Sequence, residues 1–291
     1  MNMKKAVPRR FAITTHPSQP QVFEGAKDLA IRLLEMGAES ATVHTIYEPE
    51  LSQAVTNAEI DILIALGGDG TMLRAGHLVA PTGIPVLGIN RGRFGFLMEI
   101  DEEDCLERMA QLLRGEYRLE KRMLLHVVHQ HEQEIQGEWD VLNEVVVCRG
   151  QYVRPIQVKA SLDGYLLASY VADGVIAATP TGSTAYALAV GGPIMPPEIR
   201  NILIVPVAPH LSFDRATILS EGARVTLTVN TNHEAVLSAD GQSPVILKDG
   251  DTVDVYASDY SINFVRFQDH GYFYRNLHKY MEQNPIAGIS L

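Results

Sequence analysis

Two cysteines, Cys105 and Cys148, are all that this 291-residue chain contains. Neither has a neighbour at metal-ligand spacing, which excludes a zinc motif and a disulfide framework as sequence readings. Runs of about 18 apolar residues are missing too, so no membrane span is expected. Positive charge is in deficit: 24 Lys and Arg stand against 35 Asp and Glu, a formal net charge of −11. A nucleic-acid surface needs a basic face, so nucleic acid is not an expected partner. A nucleotide ligand stays open, because backbone amides and a few local cations suffice for one. Tryptophan is reduced to Trp139, expected to pack. No G-x-G-x-x-G follows the first strand, which disfavours an NAD-dependent dehydrogenase. The start, MNMKKAVPRRF, is basic but no apolar h-region follows, so it does not read as a signal peptide; the cytoplasm is the expected location. There is no internal repeat and no low-complexity segment.

What is present is globular: 46% hydrophobic and 20% charged residues. The first hundred residues alternate strand and helix signals. Strands are predicted at Phe11–Thr15, Ala41–Ile46, Ile60–Leu66 and Pro85–Ile89. Val22, Ala26, Leu29, Ala30, Leu33 and Leu34 share one face of a helix that Gly37 can end. Another helix runs from Thr71 to about Val79. This order implies a parallel sheet covered by helices. Asp101 to Leu113 reads as a helix with Asp101 as its N-cap. Beyond Tyr117, strand-length alternation dominates, including Val141–Val147, Ile156–Leu162, Val253–Ala257 and Ile262–Arg266. Asp163-Gly164, Asp240-Gly241 and Asp249-Gly250 mark turns. The expected fold is an α/β domain over residues 1–100 and a β-rich, largely antiparallel sandwich over 101–269. A helix over about 270–291 would pack back on the first domain.

Three segments carry chemistry. In the first, Ile62–Leu66 breaks into Gly67-Gly68-Asp69-Gly70, and Thr71 opens a helical stretch. Glycines tolerate φ > 0 and close ligand approach, and a helix N-terminus favours a phosphate. Asp69 is unfavourable beside a phosphate unless it binds a metal or takes a proton. A plain hairpin turn is the bland alternative. The second segment is Asp173–Pro193, dense in hydroxyls, with Pro180-Thr181-Gly182 breaking a strand. Ser183 is a candidate helix cap and Tyr186 a stacking ring. The third is Asn143-Glu144 inside an apolar strand. Buried polar groups left unpaired cost about 1–3 kcal/mol each. A ribose diol or a structural hydrogen bond would satisfy them.

Together these segments resemble the bacterial NAD kinase (ATP-NAD kinase) family over essentially the whole chain. The matching residues are Gly67–Thr71, the N-R-G-R-F-G-F-L stretch from Asn90 to Leu97, Asn143-Glu144, and Thr179–Tyr186. The resemblance implies a Rossmann-like α/β domain of the NAD kinase and diacylglycerol kinase type, followed by the β-sandwich. It implies transfer of the γ-phosphoryl of ATP to the 2′-hydroxyl of the adenosine ribose of NAD, with Asp69 as general base. Gly67, Gly68, Gly70 and Thr71 would receive ATP phosphates. NAD would be held by Asp69, Gly70, Arg74, Asn143, Glu144, Arg154, Val171, Asp173, Thr184, Ala185, Tyr186, Ala187, Leu188, Ala189 and Gln242, with Asp240 a further candidate. Mg²⁺ or another divalent cation would bridge the ATP phosphates, and the assembly would be a homodimer or homotetramer. Phe94 departs from a Leu in the family's pattern, as a packing change. Val171 departs from the Arg of some relatives, which leaves NAD against NADH preference open. Because GGDG also occurs in lipid and sugar kinases, such a kinase and a non-catalytic dinucleotide sensor remain as alternatives. His126, His129 and His131 have no acidic or Cys partner spaced to complete a metal site and read as structural or surface residues. The acidic run Asp101–Asp104 reads as helix N-terminal charge preference.

Overall fold

The computed structural model describes residues 7–91 and 95–282. Gly92, Arg93 and Phe94 of the N-R-G-R-F-G-F-L stretch, and the expected helical tail beyond residue 282, lie outside the described residues. The chain forms two compact units, residues 1–121 with 261–291 (unit 1) and residues 122–260 (unit 2).

Unit 1 is built on the parallel strands β1 (Arg10–Thr15), β2 (Ser40–Thr45), β3 (Ile62–Gly67), β4 (Val86–Asn90) and β5 (Ile100–Asp101), in the order β5-β4-β3-β1-β2. Helices α1 (Pro20–Glu35), α2 (Pro49–Thr56), α3 (Asp69–Val79) and α4 (Cys105–Leu113) connect and cover them. The strand β3 is buried at every position, because helices cover both faces of such a sheet. Phe11, Ile13, Ile62, Ile64 and Leu66 pack against Ala26, Leu29 and Leu33 of α1 and Met109, Leu112 and Leu113 of α4. A boundary at residue 100 would cut through this core, so unit 1 continues to residue 121. The sequence reading passed over α2, which buries only Leu51 and Val55 and is too short to show a helical period. Asp101 holds the N-cap position of a 3₁₀ turn over Glu102–Asp104 that leads into α4, but its side chain makes no capping bond; its carboxylate instead accepts a hydrogen bond from Asn90 Nδ2 at 3.1 Å.

Unit 2 is a sandwich. The long strand β6 (Arg118–His131) enters it, followed by β7 (Glu134–Val141), β8 (Glu144–Arg149), β9 (Ile156–Leu162), β10 (Tyr165–Ala172) and β11 (Gly174–Ala178). After the one-turn helix α5 (Tyr186–Ala189) come β12 (Asn201–Val207), β13 (Thr217–Ser220), β14 (Val225–Asn230), β15 (Ala235–Ala239), β16 (Val245–Leu247) and β17 (Thr252–Arg266). One sheet runs β13-β12-β11-β8-β15-β16; β10-β9-β14-β17 and the β6–β7 hairpin form the facing layer. The strand pairings described in this unit are antiparallel, as the alternation implied. Val145, Val147, Val175 and Ile204 meet Val158, Tyr170, Leu227 and Val255 between the layers. Asp163-Gly164 and Asp240-Gly241 both turn with positive φ. Three expected strands are redrawn. Val141–Val147 breaks at Leu142-Asn143 into β7 and β8, and 253–257 with 262–266 is the single strand β17, whose last residues return to unit 1. There α6 (Tyr272–Glu282) follows, with Tyr272 and Phe273 buried. Among the described residues, no helix is long and apolar enough to cross a membrane.

Candidate active site

In unit 1 the glycine turn lies at the carboxyl end of β3, where open α/β sheets place ligands. Gly68 is the residue before α3, and Thr71 and Met72 N–H both bond back to its carbonyl at 2.9 and 3.1 Å, so the N–H groups of Asp69 and Gly70 are the ones left at the helix end. Within the turn only Gly67, the last residue of β3, takes a positive φ (+158°). Gly68 has φ −119°, and Gly70 is already helical. A Cβ at Gly67 would lie 2.7 Å from Thr71 Oγ1, whereas one at Gly68 would meet nothing within 4 Å. Gly68 therefore leaves open space above the turn. Arg74 folds back, donating to the Gly70 carbonyl at 2.9 Å.

The Asp69 carboxylate is gripped by two peptides. Oδ2 accepts Phe96 N–H at 3.0 Å and Oδ1 accepts Leu97 N–H at 3.1 Å. Burial pushes its pKa above the ordinary value; the two N–H groups and the charge of Arg266 pull against that. Gly95 makes the grip possible, since a Cβ there would sit 2.0 Å from Asp69 Oδ1. A groove of about 790 Å³ opens beside the turn, lined by Gln21, Asn90, Arg91 and Glu102 among others, and Asn90 is the register partner of Gly67. Among the described residues no group of three or more His, Cys, Asp and Glu side chains could hold a metal ion.

In unit 2 the residues of the second and third segments come together. Asp240, nearly buried, clamps the break between β7 and β8: Oδ2 accepts Leu142 N–H at 2.6 Å, and Oδ1 accepts Asn143 and Glu144 N–H at 2.8 and 3.0 Å. Thr179 N–H donates to the Asn143 carbonyl at 2.9 Å, and the Thr179 hydroxyl donates to the Leu142 carbonyl. Ser183 does not cap a helix. Its hydroxyl donates to the Pro180 carbonyl at 2.7 Å and accepts Met195 N–H at 2.9 Å, inside a 3₁₀ turn over Gly182–Thr184. Ala187 and Met195 then pack on the outer face of β8, β11 and β12 through Val146, Ile176 and Leu203. That packing holds the hydroxyl-rich crossing in place. Tyr186 keeps 43% of its surface exposed, so a ring face is open. Asp173 pairs with Arg149 at 3.1 Å. Val171 lies on β10, and Gln242 is exposed two residues beyond Asp240. Arg154 sits in the exposed loop 150–155, and no described contact ties it to the others.

Sequence reasoning missed the parts played by Phe96, Leu97 and Arg122. The Phe96 and Leu97 N–H groups are backbone and carry no side-chain signal. Arg122, 3% exposed, donates from Nη1 to Thr181 Oγ1 at 3.0 Å, across 59 residues. The histidines are tied down by carboxylates remote in sequence. His129 Nε2 and His131 Nδ1 share Asp251 at 2.7 and 2.6 Å, and His126 Nδ1 meets Asp140 at 3.0 Å.

Glu144 is the most perturbed acid of this group. Burial, then the neighbouring Asp240 charge, lift its pKa to about 8, against the pull of Tyr186 N–H. An acid raised from 4.5 to about 8 binds its proton more tightly in the folded state. Its contribution to stability is complete below pH 4.5 and is lost as pH rises through 8. Glu144→Gln removes that loss. The variant is expected to melt above the wild type at pH 9 and to show a smaller difference at pH 5 in paired thermal scans. A gap that does not widen with pH would contradict it.

A parallel α/β unit with a glycine turn and a helix-start carboxylate, joined to a β-sandwich carrying a hydroxyl-rich crossing, defines a nucleotide-handling phosphotransferase. The particular family follows from comparison with known proteins. The family model of the ATP-NAD kinase N-terminal domain matches residues 10–117 and that of the C-terminal domain matches residues 142–267. The chain is 34% identical to an NAD kinase of Dehalococcoides mccartyi over 277 residues, 95% of this chain and 97% of that one. It is 35% identical to an NAD kinase of Heliobacterium modesticaldum, covering 93% and 98% of the two chains. An NAD kinase from Archaeoglobus fulgidus, solved in complex with ATP, superposes with a TM-score of 0.70 at 25% identity, covering 94% of this chain and 99% of that one. Yeast NADH kinase, solved with NADH, shares the fold with a TM-score of 0.81 at 23% identity, covering 98% and 93%. The chain belongs to the ATP-NAD kinase family, and its activity is that of an ATP-dependent NAD kinase.

Proposed function

We propose that Asp69 is the general base of NAD phosphorylation. It takes the proton of the adenosine ribose 2′-hydroxyl as that oxygen bonds to the γ-phosphorus of ATP and the bond to the β-phosphate oxygen breaks, giving NADP and ADP. One observation carries this reading: the carboxylate is held by two peptide N–H groups at a helix start, and among the described residues no cationic side chain is bonded to it. A carboxylate accepts up to about four hydrogen bonds, so two used leave room for a hydroxyl. A raised pKa makes it a better base.

Gly67, Gly68, Gly70 and Thr71 would take the phosphates on the α3 N-terminus. Asn143 and Glu144 would take the ribose diol, with Asp240 setting their backbone. Asp173, Thr184, Ala185, Ala187, Leu188 and Ala189 would line the dinucleotide, Tyr186 would stack on it, and Arg74, Arg154, Val171 and Gln242 would contact it at the margins. The described side chains form no metal cage of their own. A divalent cation would enter with the ATP phosphates, as Mg²⁺ does when it keeps water and phosphate ligands. The working enzyme would be a cytoplasmic homodimer or homotetramer.

The test is direct. Purified protein is incubated with ATP, Mg²⁺ and NAD, and NADP is assayed. Product is expected, and none without ATP. Phosphorylation of a lipid or a sugar with no NADP would move the chain to the other GGDG kinases. NAD binding without turnover would make it a sensor.

A further inference from the structure

Arg266, at the end of β17, has 0% side-chain exposure and stands between Glu99 and Glu120, each 1% exposed. Nη1 lies 3.1 Å from Glu99 Oε2 and Nε 3.2 Å from Glu120 Oε1. Tyr272 and Arg118 complete the second carboxylate, at 3.2 and 3.1 Å. A buried ionic set of this kind is often no more stable than an apolar cluster of equal volume. Its position suggests what it is for. Arg266 Nη1 also donates to the Leu97 carbonyl at 3.3 Å, and Leu97 N–H donates to Asp69. Glu99 Oε1 accepts Phe267 N–H at 2.7 Å, which fastens the same stretch to the residue after Arg266. Nη2 is buried with no hydrogen-bond partner among the described residues.

We propose that Arg266 is a positioning residue for Asp69. It holds the Leu97 carbonyl so that Phe96 and Leu97 N–H stay aimed at the carboxylate, and its buried charge favours the ionised base. This rests on Asp69 being the base. The cation of Arg266 opposes the effect of burial on Asp69. Among the described residues, the charged groups around the arrangement include Arg266 on β17, Glu99 before β5, Glu120 and Arg118 on β6, and Arg74 on the helix of Asp69 itself.

The test is the pH profile of kcat at saturating substrates, measured on the full chain. Loss of the cation must move the acid limb to higher pH. Arg266→Met alone would strand two buried carboxylates, so it is combined with Glu99→Gln and Glu120→Gln. Relative to the Glu99→Gln/Glu120→Gln protein, which differs from that variant only in keeping the arginine cation, the limb is expected to rise by about one pH unit and the plateau to fall. Arg266→Lys keeps the charge but not the planar fork, so its limb stays near wild type while its plateau falls. Glu99→Gln alone leaves more of the arginine charge uncompensated, so its limb moves to lower pH. An acid limb that stays in place both between the combined variant and its Glu99→Gln/Glu120→Gln parent and in Glu99→Gln alone would overturn the proposal; if the combined variant or that parent does not fold, an unmoved limb in Glu99→Gln is enough. A wild-type plateau in Arg266→Lys would overturn the aiming role. Asp69→Asn separates the two readings. If it keeps turnover and limb, the base assignment fails; if it abolishes turnover while the Arg266 and Glu99 variants leave the limb fixed, only the Arg266 role fails.

Discussion

Asp69→Asn is expected to leave a folded protein that binds NAD within a few-fold of wild type and turns over about 10²–10⁴-fold more slowly. The amide has the shape of the carboxylate. Its oxygen can still accept one of the N–H groups of Phe96 and Leu97, while its NH₂ faces the other. That mismatch costs about 1–3 kcal/mol, offset by no longer burying a charge. Stability therefore changes little. What is lost is the proton acceptor, because an amide nitrogen cannot take the proton of a ribose hydroxyl. Circular dichroism and a melting curve establish the fold, NAD titration the affinity, and NADP formation the rate. Near-normal turnover from a folded Asp69→Asn protein removes Asp69 from its assigned role.

Gly182→Ala is expected to disable the dinucleotide half of the machinery while sparing the glycine turn of unit 1. A Cβ at Gly182 would stand 2.1 Å from the Asn143 carbonyl oxygen and 2.5 Å from its carbon. These are backbone atoms, so no rotamer change relieves the clash. Asn143 cannot retreat, because its N–H is held by Asp240 and its carbonyl by Thr179. Overpacking of this kind costs about 1–3 kcal/mol, occasionally more. If most of that falls on the geometry of the Asn143-Glu144 break, affinity for NAD drops by about 10-fold to 100-fold. Gly222→Ala is the control, since a Cβ there meets nothing within 4 Å. Calorimetric NAD binding that is equal in the two variants would contradict the argument.

Much of this site could be read along the chain. The glycine turn after an apolar strand, the Asn143-Glu144 pair in an apolar run and the hydroxyl-rich crossing are local patterns. Each falls where β3, β8 and β11 end or begin. Ile156–Leu162 was legible to the residue, because alternation and flanking turns bound it. The missed helix Pro49–Thr56 and the split of Val141–Val147 show the limit of that reading. A two-turn helix has too few apolar positions to show a period. The strand break is imposed by Asp240, about a hundred residues further on. The same limit explains Ser183, which has the chemistry of a cap but is captured by Pro180 and Met195 instead.

The amino-acid order by itself determined the elements, the antiparallel and parallel halves, and the residues able to do chemistry, since periodicity and turn preference act over a few neighbours. Partnership was decided only in three dimensions. Asp69 finds its donors 27 and 28 residues away, Arg266 finds Glu99 at a separation of 167, and His129 finds Asp251 at 122. Those separations follow from which strand lies beside which in a sheet. No local spacing encodes that choice, because it is settled when the whole core packs.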